Sequence, residues 1–167
     1  MLVTMAQFAD WQTYLAVQAG AAATLTGLVF VAVSINLAHI MSVPGLPGRA
    51  FEALAQLLQV FFVASFALVP HQSPEVLASE ILGTAALSLT GQIVSQIRYV
   101  RMRAGHPRYW LLTRIGVTAI ATLPFCACGL MLLFGSPAWT YALVLGSALS
   151  FIAAVIGAWV LLIEILR

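Results

Sequence analysis

The chain has 167 residues, 62% of them hydrophobic and 7% charged, with a formal net charge of +2 and a mean hydropathy of +1.04. A water-soluble domain of this length cannot place so apolar a composition on its surface, so the solvent it implies is lipid. The positive balance comes from arginines in loops that meet anionic headgroups, and it implies no nucleic-acid partner.

A hydrocarbon core of about 30 Å needs roughly 20 apolar residues per crossing helix. Residues 1–167 are therefore expected to form a single all-α membrane domain of five transmembrane helices. The first is predicted over 14–40, behind a tail with Asp10 and Trp11 but no basic residue. A cleavable signal carries its positive charge in front, so this span is not read as one. The second, over 50–69, follows the breaker run Pro44-Gly45-Leu46-Pro47-Gly48 and stops at Pro70. The third, over 74–100, opens with Pro74 and Glu75, both favoured at a helix N-terminus, and ends in an arginine cluster. The fourth, over 111–134, contains Pro124, which frees a backbone carbonyl that Thr118 or Thr122 is placed to satisfy. The fifth, over 138–166, follows the turn Gly135-Ser136-Pro137. Links this short predict antiparallel neighbours in a compact bundle.

All seven basic residues are arginines: Arg49, Arg98, Arg101, Arg103, Arg108, Arg114 and Arg167. With five crossings they all fall on one side, which predicts the N-terminus outside and the C-terminus inside. Trp11 and Tyr14, Tyr99 and Trp110, and Trp139 and Tyr141 fall near the headgroups, with Trp159 as the exception. The absence of lysine from an alanine-rich chain suggests a GC-rich bacterial genome, and hence a bacterial cytoplasmic membrane.

Two strips of small residues predict close helix contacts. Ala142, Gly146, Ser150, Ala153 and Gly157 follow one face of the fifth span, and Gly20, Thr24, Gly27, Ser34 and Ala38 follow one face of the first. Either strip suits contact within one bundle, a subunit interface or a pore lining. The third span carries a polar ladder of Glu80, Thr84, Ser88, Gly91 or Gln92, and Ser95 or Gln96 on one face. A carboxylate below the outer interface must face water, a partner or the bundle interior, which makes Glu80 the leading functional residue. The alternative is an interfacial Glu80 reaching headgroup water beside Glu75. Glu52, Gln56 and Gln59 on the second span lie at the height of Asn36 and His39 on the first and of Gln92 and Gln96 on the third. Together they suit a cytoplasm-facing vestibule for a hydrated ion or polar solute. They also suit simple helix-to-helix bonding, with Glu52 paired to Arg49.

Catalytic patterns are missing. Asp10 is the only aspartate, there is no HExxH or G-x-S-x-G, and His39, His71 and His106 all fall near interfaces. Cys126 and Cys128 point about 200° apart on one helix, a poor geometry for a bond between them, and no ligand set completes a zinc site beside them. No enzyme activity, metal or cofactor is expected.

Residues 23 to 32, ATLTGLVFVA, followed by a proline-glycine turn and a helix ending in Leu68-Val69-Pro70, resemble the first hairpin of Orai-type calcium channels. Where such a channel needs an acidic ring the sequence has Val33, Ser34, Ile35 and Asn36, and the arginines give the opposite orientation, so no site residue carries over. Two functional classes lead: a homo-oligomeric channel or carrier for an ion or small polar solute, and a non-catalytic accessory subunit of a larger membrane complex.

Overall fold

The computed structural model describes the backbone of residues 2–102 and 108–165 and the side chains of 11–100 and 111–163. Asp10, Arg101, Arg103, His106, Arg108, Trp110 and Arg167, which enter the orientation and aromatic readings, have side chains outside these ranges. Among the described residues the chain is all-helical: α1 (Leu2–Ile35), α2 (Leu37–Ser42), α3 (Leu46–Ala67), α4 (Pro74–Met102), α5 (Arg108–Leu133) and α6 (Trp139–Ile165). Five of these are long and apolar enough to cross a membrane, with candidate spans Trp11–Ile35, Leu46–Ala67, Pro74–Val100, Leu111–Leu133 and Trp139–Ile163.

Local chemistry explains the boundaries. The helix expected over 14–40 breaks at Asn36, whose side-chain amide donates to the Ala32 carbonyl at 3.0 Å, and the short α2 follows. Such a side-chain bond offers the backbone a partner other than the next turn. Gly45 precedes α3 with φ +98°, and a Cβ there would stand 2.6 Å from the Tyr99 ring, so both conformation and space require glycine. Ser73 caps α4 by accepting from the Val76 amide at 3.3 Å. At the end of α5, Gly135 takes φ +67°, its amide bonds Leu132 O at 3.1 Å, and the Ser136 amide bonds Met131 O at 2.9 Å, the double bond of a Schellman turn.

Helices α3, α4, α5 and α6 pack in a closed ring, each against two neighbours, and α1 lies outside it, mainly against α3. Leu15 and Ala22 are the described α1 residues that become fully buried, so this helix makes a narrow contact and presents most of its circumference outward. The main apolar core fills the half of the ring near the α3–α4 and α5–α6 turns, with Val60, Val63, Leu77, Ile81, Phe125 and Leu143 among its members. Gly146 admits Phe125, since a Cβ there would lie 3.0 Å from that ring, and Gly129 admits Leu82. Trp139 and Trp159 stand 20 positions apart on α6, roughly 30 Å, so Trp159 marks the other end of a bilayer-sized length and is less exceptional than its sequence position implies.

Candidate functional site

The opposite half of the ring, toward the arginine-bearing ends, is polar inside. Gln56 and Gln59 on α3, Gln92 and Gln96 on α4, Thr118 and Thr122 on α5 and Ser150 on α6 are all buried. Gln56 donates to Gln92 Oε1 at 3.2 Å, and Gln92 in turn donates to Ser88 Oγ at 2.9 Å. Gln96 donates to Thr118 Oγ1 at 3.0 Å, and Ser150 Oγ donates to Gln56 Oε1 at 2.9 Å. A longer contact of 3.5 Å runs from Thr122 Oγ1 to Gln59 Oε1. Thr118 Oγ1 in turn donates to Gln92 Oε1 at 3.5 Å, so one network ties all four ring helices, with Gln59 and Thr122 as a separate α3–α5 pair beside it; this answers the demand that polar groups in lipid be satisfied internally. The bonding is incomplete: Gln59 Nε2 and Gln96 Oε1 are buried without a hydrogen-bond partner.

Below the network, an ion pair joins Glu52 of α3 to Arg114 of α5. Two cavities meet at this pair. The smaller, about 180 Å³, reaches Gln56, Gln92 and Thr118 and has Arg49 and Thr113 on its wall. The larger, about 650 Å³, lies between α3 and α4, with Ser95, Gln96, Arg98 and Tyr99 on its wall. Both cavities thus have arginines on their walls, while the apolar core fills the other half.

The structure divides the sequence-predicted groups. Gln56, Gln92 and Gln96 lie in one buried hydrogen-bonded set, with Ser88 attached through Gln92, while Gln59, also buried, pairs with Thr122. Glu80 does not join them; its carboxylate accepts from Gln72 in the α3–α4 turn, close to the interfacial alternative. Thr84 donates to the Glu80 carbonyl of its own helix at 2.6 Å and needs no water. Asn36 is likewise occupied within its own chain segment, by Ala32, and stands apart from the network on the outlying helix. Glu52 lines the vestibule but takes Arg114 as its partner, where the surface reading gave it Arg49.

The two small-residue strips also part ways. On α6, Gly146 meets Phe125, Ser150 enters the polar network, Ala153 lines the smaller cavity and Gly157 lies 3.4 Å, by its would-be Cβ, from Ala53. That strip faces the ring interior. On α1, Gly20, Thr24 and Gly27 are exposed, with open space beside both glycines, and Thr24 bonds the Gly20 carbonyl at 2.8 Å. Thr118 and Thr122, expected to serve the carbonyl that Pro124 frees, turn to glutamines instead, and Ser150 reaches the neighbouring Ala121 carbonyl at 3.4 Å.

Arg114, Thr118 and Thr122 carry roles that the sequence reading did not give them. Their spacing of four places them on one face of α5, a signal as strong as the ladder on α4. Among the described residues no cluster of three or more His, Cys, Asp or Glu side chains is placed to hold a metal.

Fold and site together define a membrane-spanning helical bundle with a one-sided polar interior. No family model matches the chain, and no curated protein or solved structure matches it.

Proposed function

We propose that the chain is a carrier for a small polar solute, which enters from the arginine-bearing end and is held by the amide and hydroxyl groups of the ring. The observation behind this reading is the placement of a buried, partly unsatisfied polar network directly above two cavities, with an apolar seal beyond it. A spacer bundle gains little from such a network, because interhelical side-chain bonds in lipid contribute only about 0.6 kcal/mol each on average. The ring encloses the polar groups within a single chain, so the path needs no second copy; a homo-oligomer would form through other surfaces. By the arginine rule the open end is cytoplasmic. The reading assigns no catalytic step.

Flux into proteoliposomes tests it, using protons, monovalent cations and small neutral solutes in turn. Wild type should pass one class; Gln92→Leu and Ser88→Leu should lower that flux about tenfold or more, as removal of polar contacts made to a passing solute does. Glu80→Gln, remote from the network, should leave it unchanged. A folded wild type that passes nothing under any gradient would sink the carrier.

A second reading as an accessory subunit draws on α1. Its exposed small-residue strip and the apolar grooves between α1 and α6, bounded by Ala32, Ala154 and Ala158, suit the seating of another protein's helix. Obligate copurification with a second chain in mild detergent would favour it.

A further inference from the structure

The larger cavity follows the seam between α3 and α4, and its wall changes character with depth. Arg98, exposed on that wall, lies two residues before the end of the α4 span at Val100, where headgroups begin. Gly91, on the same wall, is seven residues further in, roughly 10 Å deeper along the helix. Phe51 stands at that depth, since a Cβ on Gly91 would lie 3.2 Å from its ring. Phe51 and Val94 both line the cavity with 45% and 41% of their surface exposed, so the deeper part opens outward to hydrocarbon and is not sealed within the ring.

The charge on this wall is unbalanced. Arg98 and Arg114 face a single carboxylate, Glu52, and that carboxylate is engaged by Arg114. The charge left over is that of Arg98, at the rim, with the half-buried Ser95 hydroxyl one turn inside it. The start of α3, at Gly45 and Gly48, lies on the same wall without a side-chain cap, so the positive end of its dipole adds to the arginine. The groove is therefore apolar toward the bilayer centre and cationic at the headgroup end, with a volume of about 650 Å³ that suits a small-molecule site.

We propose that this groove seats an acidic phospholipid, its phosphate at Arg98 and Ser95 and one acyl chain along Val94, Phe51 and Gly91. A free anion would match the rim and leave the apolar depth to water; a zwitterionic lipid would fill the depth and bring a second cation to a wall that already has one in excess. An acidic lipid matches both ends. Seated there, it would cover the Glu52–Arg114 pair on its bilayer side and leave the smaller cavity, which reaches Gln56, Gln92 and Thr118, as the approach for a solute. The lipid site thus stands apart from the carrier reading.

The test uses the full chain, delipidated in mild detergent, with native mass spectrometry comparing phosphatidylglycerol and phosphatidylcholine of identical acyl chains. Phosphatidylglycerol should be preferred about fivefold or more, the effect of one arginine on an acidic headgroup. Arg98→Gln should erase most of that preference. Val94→Trp, which fills the groove and keeps every charge, should weaken phosphatidylglycerol several-fold; both positions are exposed, so both variants are compatible with folding. Equal binding of the two lipids, an unaltered preference in Arg98→Gln, or unaltered binding in Val94→Trp would overturn the proposal, the last by reducing it to attraction between a charged surface and any acidic lipid. Glycerol 3-phosphate at millimolar concentration should leave the bound lipid in place, and its displacement would overturn the lipid as occupant in favour of a soluble anion. Binding is read here without transport, so a retained lipid without flux defeats the carrier alone, and flux with equal binding of the two lipids defeats this site alone.

Discussion

Gly146 and Gly20 sit in similar apolar helices, yet only one of them is held by its surroundings. A Cβ at Gly146 would press on Phe125, which is fully buried and cannot yield, whereas nothing lies within 4 Å of one at Gly20. Gly146→Ala should therefore destabilise the fold by about 1–3 kcal/mol, as overpacking does. Gly20→Ala should leave it unchanged or stabilise it by about 0.5–1 kcal/mol through helix propensity. Reversible unfolding in mixed micelles measures both, and equal losses would mean that Gly20 also faces a protein surface. The same distinction between hydroxyls decides what they report: Thr24 and Thr84 bond carbonyls of their own helices, while Thr118 and Ser150 bond side chains of other helices.

The link between α3 and α5 makes the electrostatic prediction. Glu52 and Arg114 have side chains only 18% and 12% exposed, so deleting one partner leaves a poorly hydrated charge. Arg114→Gln alone should lower stability by about 1–3 kcal/mol, and adding Glu52→Gln should recover part of that loss, a coupling that a double-mutant cycle reads directly. Purely additive losses would show that the pair is not an interacting unit. Periodicity made the glutamine heights on α3 and α4 legible before any coordinates, because Gln56, Gln92 and Gln96 follow from a fixed rise per residue. It did not show that Glu80 leaves the ladder for Gln72, since that depends on how the α3–α4 turn folds back. Nor did it distinguish the two small-residue strips: each has the right spacing, and which faces inward depends on where the remaining helices stand. The Arg114 face of α5 was readable by the same spacing but was absorbed into the arginine count that sets orientation.

A ring of four helices with α1 outside it gives the molecule two unlike halves, and the composition of the whole chain could indicate membrane residence without indicating this asymmetry. The five spans and their limits came from hydropathy, proline and glycine; the ring order came only from packing. The arginine rule predicts that Ser73→Cys, in the α3–α4 turn, is reached by an impermeant thiol reagent on intact cells, and that Ser42→Cys is reached only after permeabilisation; the reverse result would invert the bundle. The one-sided interior is tested most directly by reagent access to its depth. Thr118→Cys lies on the wall of the smaller cavity, and Ser147→Cys lies buried in the α6 wall of the ring. With Cys126 and Cys128 replaced by alanine and the protein in sealed vesicles of known orientation, a small impermeant methanethiosulfonate should modify Thr118→Cys from the arginine-bearing side and not from the other, and should leave Ser147→Cys unmodified from both. Modification of Thr118→Cys from the far side alone, or from neither side, would contradict the account.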